Sequence, residues 1–206
     1  GVTPNITQDK KFIMQKNLTV AGSPEKGYYA FFSASDSDHG EELWVTDGTP
    51  EGTRMVKDIN PGVATSDVNY LTRFNDKVVF SADNGEDGYQ LWISDGTEEG
   101  TRMVKKIHEF DSSNPIGFCQ MNETQFIFFA SDYESENFSS EGAQKWLYVS
   151  DGTEEGTKLV AQVDCQFPGE DIDHRYGAVR SLDYGETWED VSDQVFFPRG
   201  IRHRRD

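Results

Sequence analysis

The sequence predicts an all-β fold, a β-propeller of four or five short four-stranded blades, and three observations lead to it. An eight-residue motif occurs three times, as TDGTPEGT at 46–53 and as SDGTEEGT at 94–101 and 150–157. The copies follow one another at roughly 50 residues, a period typical of propellers, solenoids and repeat arrays. No segment has a sustained apolar period of 3.6 residues, so almost no helix is expected.

Each copy of the motif is expected to be a hairpin turn between two strands. A short apolar run precedes it (LWVT, LWIS or LYVS), and a second run with strand character, such as RMVKDI, follows it. Glycine supplies the positive φ of a tight turn, and aspartate and threonine side chains bond nearby backbone amides. The aspartates predicted to brace the turns are Asp47, Asp95 and Asp151.

A further pair of strands is predicted upstream of every motif. The segments 17–36, 70–85 and 116–132 each contain two apolar runs around a polar turn. Four strands in about 48 residues are typical of one propeller blade. We therefore expect a single domain over 1–206, with blades at about 15–62, 63–112, 113–168 and 169–206.

The last blade uses a different sequence for the same corner. Residues 181–188 read SLDYGETW, which matches the S-x-D-x-G-x-T-W pattern of the Asp-box found in sialidase-type propellers. Asp183 is expected to brace this turn as the other aspartates brace theirs. Propellers close by pairing strands from the two chain ends, and the N-terminal segment FIMQKNLTV is the expected partner.

The repeats resemble the ELWxTDGT repeat family. The matching residues are ELWVTDGTPEGTRMVKDINPG at 42–62, QLWISDGTEEGTRMVKKI at 90–107 and LYVSDGTEEGTKLV at 147–160, with Tyr148 where the other copies have tryptophan. The family occurs mainly in large secreted or surface-attached proteins and is predicted to form β-propellers. The resemblance therefore implies a scaffold in the extracellular space or a non-cytosolic lumen, and it carries no catalytic residues.

The composition narrows the range of partners. The chain has 37 acidic and 19 basic side chains, a net charge of −18, which disfavours binding to nucleic acid and to anionic membranes. No apolar run approaches the ~20 residues of a transmembrane helix. The first residues lack the pattern of a signal peptide, so the chain is either already processed or not exported. We expect a protein partner, with glycans as the alternative.

Cysteines and glycosylation sequons bear on the compartment. Cys119 and Cys165 are compatible with one disulfide or with two separate thiols. N-x-S/T sequons begin at Asn5, Asn17, Asn122 and Asn137, and they favour a secreted protein.

Two acidic corners are candidate calcium sites. The segment DSDHGEE at 36–42 places oxygen ligands at alternating positions around a glycine, as in the first half of a calcium loop, and DNGED at 83–87 occupies the same corner of the second blade. The candidate ligands for Ca²⁺ are Asp36, Asp38, Glu42, Asp83 and Asp87. The alternative is a solvated acidic turn without a metal.

One aromatic side chain recurs in each unit and is a candidate for ligand binding. These side chains are Trp44, Trp92, Tyr148 and Trp188. Sugar-binding propellers stack a repeated aromatic on the sugar, whereas the alternative role is packing between blades. A sialidase-like glycoside hydrolase would need a cluster of arginines, and the arginines here are scattered along the repeats or gathered in the last residues. The predicted function is a non-catalytic binding or scaffold module; a lectin-like module is the alternative.

Overall fold

Three antiparallel β-sheets, each built on four consecutive strands, make up most of the protein. The computed structural model describes residues 17–131, 146–163, 178–180 and 189–190. These residues include no helix, and hence no helix that could cross a bilayer. The prediction of an all-β chain with four-stranded units is confirmed.

The strands of each sheet follow chain order. The first sheet contains β1 Leu18–Ser23, β2 Gly27–Ala34, β3 Glu42–Thr46 and β4 Arg54–Lys57. The second contains β5 Asn69–Phe74, β6 Lys77–Asp83, β7 Tyr89–Ser94 and β8 Arg102–Lys105. The third begins with β9 Ile116–Gln120, β10 Phe126–Ala130, β11 Trp146–Ser150 and β12 Lys158–Val163. The repeated octet forms the turn between the third and fourth strands of every sheet.

The three sheets share the same register. Phe32 pairs with Trp44 in the first sheet, and the corresponding pairs are Phe80 with Trp92 and Phe128 with Tyr148. A register shift also recurs one residue before the paired aromatic, where the third strand meets the fourth. Positions of the three sheets can therefore be equated residue by residue.

Two short strands extend the third sheet beyond its fourth strand. β13 Ala178–Arg180 pairs antiparallel with β12, and β14 Glu189–Asp190 pairs with β13. The described residues of the predicted fourth blade thus belong to the third sheet. The Asp-box residues Asp183 and Trp188 lie outside the described residues.

The sheets pack face to face in chain order. One core lies between the first and second sheets and contains Phe31, Leu43 and Val45 from the first against Phe80 and Trp92 from the second. A second core joins the second and third sheets. Its larger side chains include Phe74, Ile93, Phe118, Phe126, Phe128 and Tyr148. Burial of each such side chain contributes about 1.5–3 kcal/mol to folding, so face-to-face packing is a main source of stability. The described strands form no closed ring.

Candidate functional site

The repeated octet folds into the same hydrogen-bonded turn in all three copies. In the second copy Asp95 Oδ1 accepts bonds from the Thr97 amide at 2.9 Å and the Thr97 hydroxyl at 2.7 Å. The Thr97 hydroxyl oxygen in turn accepts from the Gly100 amide at 2.9 Å. The Thr101 hydroxyl donates to the Thr97 carbonyl at 2.6 Å. The equivalent bonds of the other copies involve Asp47, Thr49, Gly52 and Thr53, and Asp151, Thr153, Gly156 and Thr157.

These bonds stabilise the charged form of the aspartates. The threonine hydroxyl bonds hold the pKa of Asp47 and of Asp151 below the usual value. Burial alone would raise the pKa of Asp95, but the hydroxyl and amide of Thr97 outweigh it and the pKa is lowered. The three carboxylates therefore act as internal acceptors of their own turns.

Two glycines of each octet are required for different reasons. Gly96 has a φ of +89°, and a Cβ there would also press on Phe31 of the preceding sheet. Gly100 has no positive φ, but a Cβ there would overlap the carboxylate of Asp95. The first glycine thus serves the turn and the packing between sheets, whereas the second leaves room for the bracing aspartate.

Cationic side chains tie the second and the third octet to the sheet before each of them. Arg54 Nη2 donates to the Gly96 carbonyl at 2.6 Å, and Lys57 Nζ donates to the Thr101 carbonyl at 3.1 Å. The second sheet makes the same two bonds to the third, from Arg102 to Gly152 at 2.7 Å and from Lys105 to Thr157 at 3.0 Å. The octet is therefore both a turn and a docking element between neighbouring sheets.

The first candidate calcium corner is closed by its own backbone. Asp36 Oδ1 accepts bonds from the amides of Asp38 and His39 and contacts the His39 ring at 2.9 Å. Burial acts to raise the pKa of Asp36, but these bonds outweigh it and the pKa is lowered. The Asp36 carboxylate raises the pKa of His39 through the same contact. The Glu42 side chain is directed away from this corner, towards the backbone amides of Ile59 and Asn60.

The second corner is organised similarly. Asp83 Oδ1 accepts the Gly85 amide at 2.7 Å, and Asp87 binds Lys106 at 2.6 Å and Asn84 at 2.9 Å. The bond from Lys106 is the main reason that the pKa of Asp87 is lowered. Among the described residues, no group of three acidic, histidine or cysteine side chains is arranged to hold a metal ion. Calcium binding stays a prediction of the sequence.

Glu42 is a fully buried carboxyl group with a structural role. Its two oxygens accept the backbone amides of Ile59 at 3.0 Å and Asn60 at 3.2 Å. Burial raises the pKa of Glu42, and these hydrogen bonds offset only part of that effect. The second sheet has Gln90 at this position, and its Oε1 accepts the Ile107 amide at 3.1 Å. A neutral amide therefore accepts the equivalent of the Ile59 bond without a buried charge, and its Nε2 donates to the carbonyls of Asp87 and Asp111.

Two of the repeated aromatics, Trp92 and Tyr148, lie in the packing between sheets. Trp92 stacks on Phe80 with ring centroids 6.5 Å apart, and Tyr148 stacks on Phe128 at 5.5 Å. Trp44, Trp92 and Tyr148 are all buried. These three rings therefore present no open surface on which a sugar could stack.

Large apolar side chains are exposed on the outer faces of the stack instead. Leu18, Val20 and Tyr28 are exposed on the first sheet, and Met121 and Phe129 on the third. Contiguous exposed apolar side chains are typical of interaction surfaces. The outer faces of the first and third sheets are therefore the candidate binding site.

Sequence reasoning did not assign the docking role of Arg54, Lys57, Arg102 and Lys105. The available signal was their recurrence at equivalent positions of the first two copies, RMVK in both. Of the cysteines, Cys119 is an exposed free thiol, and Cys165 lies outside the described residues.

Comparison of the chain with protein-family models, with curated proteins and with solved structures gives no match.

Proposed function

We propose that the sheets are blades of a β-propeller and that the chain is a non-catalytic scaffold module that binds protein partners outside the cytosol. The observation that carries this proposal is that the carboxylates and the large apolar side chains differ in what they contact. The notable carboxylates are occupied by their own turns or by the backbone, whereas large apolar side chains remain exposed on the outer sheet faces.

The propeller assignment is supported by the way the sheets pack. Each is a four-stranded antiparallel meander, and successive sheets pack face to face through equivalent side chains. Radial repetition of such sheets is the defining arrangement of propellers. The resemblance to ELWxTDGT repeats supports the same fold and a location outside the cytosol.

Extracellular location is also supported by one of the sequons. Asn122 lies at the exposed tip between β9 and β10, where its Oδ1 accepts the Thr124 hydroxyl at 2.9 Å. Asn17, in contrast, is buried and donates to the Val68 carbonyl at 2.7 Å. Secretion through a glycosylating pathway would therefore leave a folded chain with a glycan on Asn122 and none on Asn17, which peptide mass spectrometry can measure.

Site-specific photo-crosslinking tests the proposed function. A benzophenone amino acid at Tyr28 should give a discrete protein adduct in the source cells, because Tyr28 lies on an exposed apolar face. The matched control is the same amino acid at Phe110, which is exposed in a loop after β8. Equal adducts at both positions, binding on a glycan array, or turnover of glycoside substrates would contradict a protein-binding scaffold.

A further inference from the structure

The chain builds the same interface twice within itself. The first sheet packs on the second, and the second on the third, through equivalent side chains and equivalent Arg and Lys bonds. Every such interface has two unlike halves. The earlier sheet contributes the face that carries Phe31 or its equivalent Val79, and the next sheet contributes the opposite face, which carries Phe80 or its equivalent Phe128. Among the described residues, the second sheet packs through both of its faces, whereas the first and third sheets each pack through one.

The unused face of the first sheet is apolar and exposed. We define the head face by paired residues of β1 and β2, which point to one side of the sheet. The head face comprises Leu18, Val20, Tyr28, Ala30 and Phe32, and Trp44, which pairs with Phe32, lies buried on the same side of the sheet. Leu18 is 55% exposed, whereas Leu71 and Phe118, at the same position of the other sheets, are each 9% exposed. Among the described residues, Leu18, Val20 and Tyr28 of the head face thus lack the neighbouring sheet that packs on their equivalents.

The unused face of the third sheet is the complementary half. We define the tail face by residues that share one side of β9, β10 and β11. The tail face comprises Cys119, Ile127, Phe129 and Leu147, with Met121 directly after β9; Val149, which pairs with Ile127, lies buried on the same side. Phe129 is 40% exposed, whereas Ser81, its equivalent, is 3% exposed beneath the third sheet. Leu147 is half-buried, and its equivalents Leu43 and Leu91 are fully buried.

We propose that the head face of one copy of this chain binds the tail face of a second copy, and that two copies close into a ring that contains the three described sheets of each copy. The two faces are the two halves of an interface that the chain already forms twice. A heterologous interface of this kind either closes into a ring or grows without limit. Six blades lie within the range of roughly 4–8 that propellers use. This partner assignment rests on the proposed function as a protein-binding scaffold.

The polar groups fit the same arrangement at one of the two cation positions. Gly48 on the first sheet corresponds to Gly96 and Gly152, whose carbonyls accept the bonds from Arg54 and Arg102. The third sheet keeps a cation at the arginine position, Lys158, and has Ala161 at the position of Lys57 and Lys105. A Cβ at Gly48 would meet no atom within 4 Å, whereas Gly96 packs on Phe31. The equivalent of Phe31 on the third sheet is Ile127, which belongs to the tail face.

Charge makes the salt dependence a diagnostic of this association. Each copy carries a net charge of −18, so two copies repel one another at low ionic strength. Salt screens this repulsion and leaves the apolar contact intact. The dimer fraction should therefore rise with salt, whereas a complex held by opposite charges would weaken.

Light scattering after size exclusion tests the proposal directly. The full chain should have twice its monomer mass of 23.3 kDa. A ring of two copies has two head-to-tail interfaces, and a substitution present in both copies affects both of them. Leu18→Glu and Phe129→Glu should therefore each yield monomers, because each places a charge in both interfaces. Val63→Glu is the control, since Val63 is 83% exposed in a loop, and it should remain dimeric.

Mixing the variants distinguishes a head-to-tail interface from a symmetric one. Leu18→Glu keeps a normal tail face and Phe129→Glu a normal head face, so the mixture should regain dimers through one intact interface. A dimer that only one of the two variants disrupts would overturn the proposal, as would no recovery in the mixture. A mass of one chain at every concentration and salt would also overturn it, and a photo-crosslink from Tyr28 to another protein would then still support the proposed function.

A cysteine pair provides a test of register. The Thr19 hydroxyl donates to the Leu71 carbonyl at 2.8 Å between the first two sheets. Cys119 is the equivalent of Thr19, and Leu18 is the equivalent of Leu71. In a Cys165→Ser background, Leu18→Cys should therefore be linked to Cys119 of the second copy by a short bismaleimide. Linkage no faster than with Val63→Cys would contradict the register.

Discussion

At the scale of residues, the octet SDGTEEGT recurs in this chain because most of its residues have a defined role in the structure of the turn. Asp95, Thr97 and Thr101 form a closed set of side-chain hydrogen bonds, and Gly96 and Gly100 provide the space and backbone conformation for it. The two glutamates between them are exposed. Repetition of the motif therefore reflects local structure, and the Asp95 carboxylate is engaged within its own turn.

Asp95→Ala should reduce the free energy of unfolding by about 1 kcal/mol or more, because the turn loses two hydrogen bonds at the aspartate. Urea denaturation measures the change. Glu99→Ala, an exposed residue of the same turn, is the control and should change stability little. Equal stability of the two variants would contradict a bracing role for Asp95.

Glu42→Gln should stabilise the protein at neutral pH. Burial raises the folded-state pKa of Glu42 above its ordinary value of 4.5. The protonated carboxyl group therefore contributes its full stability below pH 4.5. This contribution is lost as the pH rises through the folded-state pKa. Glutamine stays neutral throughout. The gain in Tm of Glu42→Gln over the natural protein should therefore be absent near pH 4 and grow towards pH 7.

The reverse substitution is the matched control. Gln90→Glu puts a carboxyl group at the equivalent position of the second sheet and should destabilise the protein more at pH 7 than at pH 4. Tm values that differ from the natural protein by the same amount at all pH values would show that ionisation of this site is not the cause.

At the scale of elements, the turns join sheets as well as strands. Gly96 and Gly48 have similar φ values, +89° and +93°, but only Gly96 lies against Phe31 of a preceding sheet. The same asymmetry holds for the arginine bonds, which run from each sheet to the octet of the next. Neighbouring sheets should therefore unfold together.

Gly96→Ala should destabilise the protein more than Gly48→Ala. Both substitutions carry the backbone cost of a side chain at positive φ, roughly 1–2 kcal/mol. The comparison is made in the monomeric Leu18→Glu background, where Gly48 has no second copy beside it, so only the alanine at 96 also displaces a neighbour, Phe31. The difference between the two variants therefore isolates packing between sheets within one chain. Guanidinium denaturation measures both, and equal losses would contradict the docking role of the octet.

The elements also show what the sequence could predict. Alternating apolar runs around polar turns were sufficient to predict four strands per unit, because each hairpin is formed by residues that are close together in the sequence. The pairing of β13 with β12 was not predicted, since the SLDYGETW pattern specifies a turn but not the strand beside which its hairpin lies. The contacts of Arg54 with Gly96 join residues 42 apart, and recurrence alone does not name their partners.

At the scale of the whole molecule, the chain is a stack of equivalent sheets with unlike ends. The acidic corners looked suited to calcium in sequence, but Asp36 and Asp87 are turned towards their own loops and Glu42 towards the backbone of Ile59. What the repeats leave open is apolar surface at the head and tail faces. We therefore propose that the molecule functions by association through those faces.

Hydrogen–deuterium exchange at increasing protein concentration measures whether association covers the head and tail faces. Amides of the outer sheets, in peptides covering 18–34 and 116–130, should exchange more slowly as the concentration rises, because both faces become covered. Amides of 77–94 in the second sheet, which is packed on both sides within one chain, should be unaffected. Exchange that is independent of concentration in the outer sheets, or slowed equally in all three, would contradict the account.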